Sequence, residues 1–321
     1  MSGWFDPQWV RAFQDAVAGA AGFWRAVAFL GDEEFYLLLF PFLYWVVSAR
    51  LGLRLGLALL ASVQVNGVLK LALHRPRPFW VDAGVRALAE EHSFGAPSGH
   101  SQNAAVLWGR WAWAGSRAAR AAAAGLTLLI GLSRVALGVH FWGDVLLGWA
   151  VGAVLLGAVV RLEPRLQAWV SRRGPWPAVG GGLGLAALVV GLALALRAAF
   201  AATTPPAWAA AWSLDGVLTA AGTWSGLLVG WAWLRGRGGF DAAGPWRQRG
   251  LRLVVGWLGL FALWAGLRAL FPAGEGWVPA VARGVRYGLV GFWIAGAAPW
   301  LFRRWGWATA ARGILEPPGG A

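Results

Sequence analysis

Cysteine is absent from the 321 residues, and lysine and methionine occur once each. The missing thiols exclude a disulfide-built secreted domain and any thiolate metal site. Charge is scarce too: 13% of residues are charged and 58% apolar. Soluble domains run at about 25% and about 45–50%. So apolar a chain is not disordered. Carboxylates are the rarer sign, 14 against 28 cations, for a net charge of +14. Such an excess can mark a nucleic-acid binder, but that role needs a basic face on a soluble domain. This composition leaves little room for one, so no nucleic-acid partner is expected. An integral membrane protein, with the bilayer as its partner, fits.

What the chain has in quantity is long apolar runs. A spanning helix needs about 20 mostly apolar residues. The candidates are 35–50, 54–73, 98–115, 121–137, 140–160, 179–200, 208–234, 250–271 and 284–302. No alternating strand pattern appears, and lipid admits only helices or closed barrels. The expected fold is all-α, a polytopic membrane helical bundle of about nine transmembrane helices. Residues 4–30 differ. Trp4, Phe5, Trp9, Phe13, Val17, Phe23, Trp24 and Val27 are interleaved with Asp6, Arg11, Asp15 and Arg25. That is the pattern of an amphipathic helix lying in the interface, or of a first helix packed on the bundle. A charged stretch from Arg161 to Arg173, then Gly-Pro-Trp-Pro, divides the chain. The expected organisation is an interfacial N-terminal helix over 1–30, a helical core over 31–162 and additional transmembrane helices over 179–310.

Loop charges orient the bundle. One side receives Arg50, Arg54, Arg117, Arg120, the arginines of 161–173, those of 235–249, and Arg303, Arg304 and Arg312. The other holds most of the acids: Asp32, Glu33, Glu34, Asp82, Glu90, Glu91 and Glu275. Arginine-rich loops stay in the cytoplasm, so the acidic side faces outward.

Twenty-seven of the cations are Arg, and Lys70 is the one Lys. All four His fall between His74 and His140. Three blocks in that region carry chemistry, and the span order places all of them on the outward side. The first is Lys70-Leu-Ala-Leu-His-Arg-Pro-Arg77-Pro78. The second is Pro97-Ser98-Gly99-His100, and the third runs Ser133-Arg134, His140, Asp144. Lys70, Arg77 and Arg134 are cations with no compensating loop of acids beside them. Clustered cations suit a phosphate, which Arg grips through paired hydrogen bonds. Ser98, Gly99 and His100 open a helix, where free N–H groups form an anion site. His140 and Asp144 are four residues apart and share a helix face. The carboxylate can keep one imidazole nitrogen protonated and aim the other at an electrophile. His100 then serves as general acid. Two His inside a cage of cations read as phosphoryl transfer through a phosphohistidine. A Walker A loop, a His-Glu-x-x-His pair and a kinase-like set of Mg²⁺ carboxylates are all missing from the sequence. The cations stand where metal ions stand in other phosphoryl-transfer sites, so no metal and no cofactor is expected. Arg75, Arg86, Arg110 and Arg197 read as snorkelling side chains, His74 as a structural His and His92 as loop.

The order and spacing of the blocks resemble the signature of the type 2 phosphatidic acid phosphatase superfamily. That signature is Lys-x6-Arg-Pro, then Pro-Ser-Gly-His, then Ser-Arg-x5-His-x3-Asp, and every position is matched over roughly residues 30–160. The resemblance implies His140 as nucleophile, Asp144 as its orienting partner and His100 as the acid that protonates the leaving group. It implies that Lys70, Arg77, Ser98, Gly99 and Arg134 bind the phosphoryl oxygens, with no metal ion. Together with the outward side given by the loop charges, the expected function is a lipid phosphate or diphosphate phosphatase of a bacterial inner membrane, acting on the extracytoplasmic side. Undecaprenyl diphosphate is the first substrate expected. Phosphatidylglycerophosphate, phosphatidate and lysolipid phosphate are the alternatives. A phosphotransferase uses the same residues, and a lipid transporter or scramblase is the reading from another class. Many members of the superfamily have about six spans; the extra C-terminal ones carry no signature residue and suit a lipid groove, a homodimer interface or a separate module.

Overall fold

The computed structural model describes residues 3–272, 274 and 276–311. Glu275 and Arg312, used above to orient the bundle, lie outside the described residues. The helices are α1 (Pro7–Ala16), α2 (Ala21–Phe29), α3 (Glu33–Phe42), α4 (Ala49–Leu73), α5 (Pro78–Val81), α6 (Gly99–Ala112) and α7 (Arg117–Ala136). They continue as α8 (Trp142–Arg173), α9 (Trp176–Phe200), α10 (Asp215–Arg235), α11 (Trp246–Leu270), α12 (Trp277–Phe292) and α13 (Ala298–Arg304). The all-α expectation holds, and helix occupies each of the nine expected spans. Six helical segments are long and apolar enough to cross a membrane, so that measure does not reach nine. The three expected spans that fall short are 98–115, where α6 runs only from Gly99 to Ala112, and 35–50 and 284–302, where π-helical turns at Leu43–Val47 and Trp293–Ala297 interrupt the α-helix.

The residues fall into two compact units. The first takes the chain up to Tyr36, Ser62–Val160 and Leu192–Ser213. Its helix ends follow capping chemistry. The Asp6 side chain accepts from Gln8 N ahead of Pro7 at the first position of α1. Ser116 caps α7 the same way, accepting from Ala119 N. Gly138, with φ +74°, ends the turn after α7, and a Cβ there would run into Arg86 O. Glycines also let α8 close on α6: a Cβ at Gly148 would lie 2.6 Å from Ser98 O, and one at Gly152 2.7 Å from Gln102 O. The start of α6 is thereby pressed against α8.

The amphipathic N-terminus is two helices rather than one, with a break at 17–20. Both lie against α7. They bury Val10, Gln14, Trp24, Val27 and Ala28 and leave Trp4, Trp9 and Phe23 exposed. Gln14 is 2% exposed. Its amide donates to Arg86 O at 2.8 Å and Ala136 O at 3.3 Å, and its oxygen accepts from Arg86 N at 3.2 Å. Arg25 donates to Leu88 O at 3.3 Å, and Arg11 pairs with Asp82 at 3.5 Å. These two helices hold down the long loop between α5 and α6.

The second unit takes Leu37–Ala61, Arg161–Gly191 and the chain from Leu214 on. Its centre is the α10–α12 pair. Gly222, Gly226 and Gly230 recur every four residues along α10, facing Gly284, Gly288, Phe292 and Gly296. Small residues at that spacing let backbones touch, the usual way helices associate in lipid. Two π-helical turns, Leu43–Val47 and Trp293–Ala297, also meet here. The Trp45 indole donates to Ile294 O at 2.9 Å and the Tyr44 hydroxyl to Ala295 O at 3.3 Å. Asp215 starts α10 and pairs with Arg283 at 2.8 Å, outside the middle of the helix.

Gly226→Val should therefore overpack a backbone contact and cost roughly 1–3 kcal/mol or more. Thermal unfolding in detergent should show a lower Tm than for Gly180→Val, where a Cβ meets nothing within 4 Å.

Candidate active site

Three loops of the first unit converge on one guanidinium. Lys70 lies in the last turn of α4. The chain then passes His74, with φ +31°, and Arg77 caps α5. Arg77 is fully buried. Its Nε donates to Ser93 O at 2.6 Å. Nη1 donates to Val139 O at 2.8 Å and lies 3.2 Å from His140 Nε2. Nη2 donates to Glu91 Oε2 at 2.7 Å, with Ser93 Oγ at 3.1 Å and Phe94 O at 3.3 Å. Lys70 Nζ donates to the same Ser93 hydroxyl at 2.7 Å. Arg134, in the last turn of α7, donates to Glu91 Oε1 at 2.5 Å.

His140 lies in the tight turn ahead of α8, and its ring is buried beside the Asp144 carboxylate. Nδ1 is 3.2 Å from Asp144 Oδ2, which also accepts from Phe141 N at 2.9 Å. An acceptor-only carboxylate on Nδ1 puts the proton there and leaves the Nε2 lone pair facing Arg77. Burial, then the charges of Arg77, Lys70 and Arg134, hold His140 well below the ordinary imidazole range. A neutral ring with its proton on Nδ1 leaves the Nε2 lone pair available as a nucleophile.

Ser98 caps α6: its hydroxyl accepts from Ser101 Oγ–H at 3.0 Å and Ser101 N–H at 3.4 Å. Its own N–H donates to Asp144 O at 2.9 Å, so it is not free as the helix-start argument expects. The N–H groups of Gly99 and His100 and the Ser98 hydroxyl remain as the groups able to hold an anion at this helix start. Gly99 packs on Asn66, where a Cβ would come within 3.1 Å of Oδ1. Asn66 belongs to a buried polar belt with Gln102, Ser62 and Asn103 that holds this helix start in place. His100 Nε2 lies 2.8 Å from Asp32 Oδ1.

The eight residues singled out from the sequence, Lys70, Arg77, Ser98, Gly99, His100, Arg134, His140 and Asp144, thus share one cluster. His74 stands apart, its ring stacked on Phe200 and near Trp212. One expectation fails. The cations are compensated, because Glu91 bridges Arg77 and Arg134. Burial alone would raise its carboxyl, but Arg77, then Arg134 and Lys70, hold it well below the usual carboxylate range. A bidentate carboxylate on two guanidiniums occupies the positions that two phosphoryl oxygens would take. Sequence reasoning missed Glu91 because a lone loop Glu has no spacing to mark it. It missed Ser93, Asn66 and Asp32 for the same reason. A pocket of about 660 Å³ adjoins Glu91, lined also by Arg25, Phe79, Trp80, His92 and Trp208.

The arrangement defines a class: a multi-pass helical membrane protein with a buried, histidine-bearing anion site. The matches to known proteins agree. Residues 51–168 match the PAP2 superfamily and residues 218–310 the PAP2 superfamily phosphatase, transmembrane extension. The chain belongs to the PAP2 superfamily and carries its transmembrane extension. It is 33% identical over 171 residues to glucose-6-phosphatase 3 of Bos taurus, covering 45% of this chain and 49% of that protein. It is 34% identical over 113 residues to phosphatidylglycerophosphatase B of Bacillus subtilis (strain 168), covering 32% of this chain and 53% of that one. The chain spans about half the length of the curated relatives it matches. A solved structure, a transmembrane PAP2 type phosphatidylglycerolphosphate phosphatase from Bacillus subtilis, aligns with a TM-score of 0.42 at 26% identity. That alignment covers 49% of this chain and 86% of the other.

Glu91→Gln removes the internal anion from the two guanidiniums. Binding of orthophosphate no longer has to displace a charge-assisted pair, so its Ki should fall about tenfold, equivalent to about 1.4 kcal/mol. Product inhibition of wild type and variant, measured side by side, checks this.

Proposed function

We propose that the protein is a metal-independent phosphatase that removes the phosphoryl group from a lipid phosphate or diphosphate through phospho-His140. One observation carries the reading. His140 has a buried carboxylate on Nδ1 and, on Nε2, a guanidinium that shares an anion with a second guanidinium. A phosphoryl group taking the place of that anion lies within reach of Nε2.

Nε2 attacks phosphorus, the N–P bond forms and the P–O bond to the leaving group breaks. Lys70, Arg77 and Arg134 neutralise charge developing on the equatorial oxygens, with the N–H groups of Gly99 and His100 and the Ser98 hydroxyl. His100 protonates the leaving oxygen, then activates the water that cleaves phospho-His140. Asp144 stabilises the imidazole as it acquires charge. The positive-inside rule supports an extracytoplasmic site in a bacterial inner membrane, because the arginine-rich loops favour the cytoplasmic side. That side suits undecaprenyl diphosphate, which is cleaved to undecaprenyl phosphate. Phosphatidylglycerophosphate is the second reading, favoured by the likeness to the Bacillus subtilis phosphatidylglycerophosphatase.

Phosphate release by detergent-purified protein, with EDTA present, tests the reading on undecaprenyl diphosphate, phosphatidylglycerophosphate, phosphatidate and glucose 6-phosphate. His140→Ala should fall to background and Asp144→Asn by about 100-fold or more. Vanadate should inhibit as a mimic of pentavalent phosphorus. Loss of activity in EDTA, or full activity of His140→Ala, overturns the mechanism. For topology, Ala87→Cys and Arg117→Cys are clean probes because the chain has no cysteine. An impermeant label on whole cells should reach the first and spare the second.

A further inference from the structure

The site holds a second carboxylate–imidazole pair besides His140–Asp144. Asp32 lies in the link between α2 and α3, and its Oδ1 is 2.8 Å from His100 Nε2. Gly31, beside it, lies flat against the same ring: a Cβ there would stand 2.5 Å from His100 Cδ2. The link is fixed by α2, whose carbonyls at Ala28 and Phe29 accept from Gly31 N at 2.8 Å and Asp32 N at 3.1 Å. The His100 side chain is 15% exposed and that of Asp32 37%. Neither Gly31 nor Asp32 belongs to the signature blocks, and both precede the matched residues 51–168.

Three charged groups act most directly on His100. Burial, then Arg134, disfavours the imidazolium, while the Asp32 hydrogen bond and the Glu91 and Asp32 charges favour it. Asp32 is the one hydrogen-bonded to the ring. An ionised carboxylate is acceptor-only, so Nε2 keeps its proton and Nδ1 is the nitrogen able to exchange one with substrate.

We propose that Asp32 is the positioning residue for the leaving-group acid. It accepts Nε2–H of His100, fixes the ring and directs Nδ1 to the leaving oxygen. The proposal rests on the phosphohistidine reading. As the His140 N–P bond forms, the electron pair of the breaking P–O bond goes to the leaving oxygen, which takes the proton from His100 Nδ1. His100 becomes neutral with Nε2–H still on Asp32. In the second step Nδ1 takes a proton from water as the water oxygen bonds phosphorus, the N–P bond breaks and orthophosphate departs.

An acid matters only where the leaving group needs one. An alkoxide must be protonated as it leaves, and 4-nitrophenolate leaves unaided. The ratio kcat/KM reports steps up to phosphorylation of His140, whatever limits later turnover. The test measures kcat/KM on phosphatidate and on 4-nitrophenyl phosphate for wild type, Asp32→Asn, Asp32→Ala and Asp32→Glu. Asn and Ala should lose about 100-fold on phosphatidate and less than about threefold on the nitrophenyl ester. Glu, which keeps the carboxylate, should recover most of the loss. Equal losses on both esters, or none on either, overturn the proposal and leave the phosphatase reading standing. The same holds if Asn and Glu behave alike. Failure of wild type to release phosphate from these two esters and from undecaprenyl diphosphate and phosphatidylglycerophosphate, or release that survives His140→Ala, overturns the reading itself and the proposal with it.

Discussion

The site depends on a guanidinium with no access to water. Burying an ion costs several kcal/mol unless its donors are matched, and Arg77 is matched on every nitrogen. Its partners come from the loop after α5 (Glu91, Ser93, Phe94) and from the turn before α8 (Val139, His140). No partner can leave without exposing a buried donor. One side chain therefore fixes His140 and the loop that carries Glu91 and Ser93 relative to each other.

The surrounding packing serves that rigidity. Gly148 and Gly152 bring α8 hard against the first turn of α6, so Ser98 N reaches Asp144 O and the two signature blocks become one hydrogen-bonded unit. Beneath them a polar belt of Ser62, Asn66, Gln102 and Asn103 satisfies itself inside an otherwise apolar bundle. In the second unit glycine does a comparable job through α10 and α12, where contact is backbone on backbone with little polar chemistry. The aromatic side chains Trp208 and Trp212 come from a region without signature residues. They pack on Trp80 and Phe94, which flank the loop that carries Glu91 and Ser93.

The all-helical class, the positions of the helices and eight clustered side chains were legible in the sequence. Apolar run length marks helices, and fixed spacing marks the three blocks. Contacts made once between distant segments were not legible. Glu91 was visible only as an acid in an outward loop, and its two arginine partners are 14 and 43 residues away. Asp32 pairs with a residue 68 positions on. The Ser98 N–H was misjudged because a helix start predicts a free donor, and only tertiary packing supplies Asp144 O. The N-terminal break was hidden because hydrophobic periodicity runs on across residues 17–20.

Gln14 shows where the working unit begins. Its single amide ties α1 to the backbone at Arg86, in the loop that carries Glu91, and at Ala136, in the last turn of the helix that carries Arg134. Boundaries drawn around the motifs would start tens of residues too late. A fragment cut there would keep every signature residue and lose the strap that holds two of their supports, together with the carboxylate on His100. In this chain the motifs are shorter than the folded unit that holds them, and residues as early as Gln14 and Asp32 touch its supports.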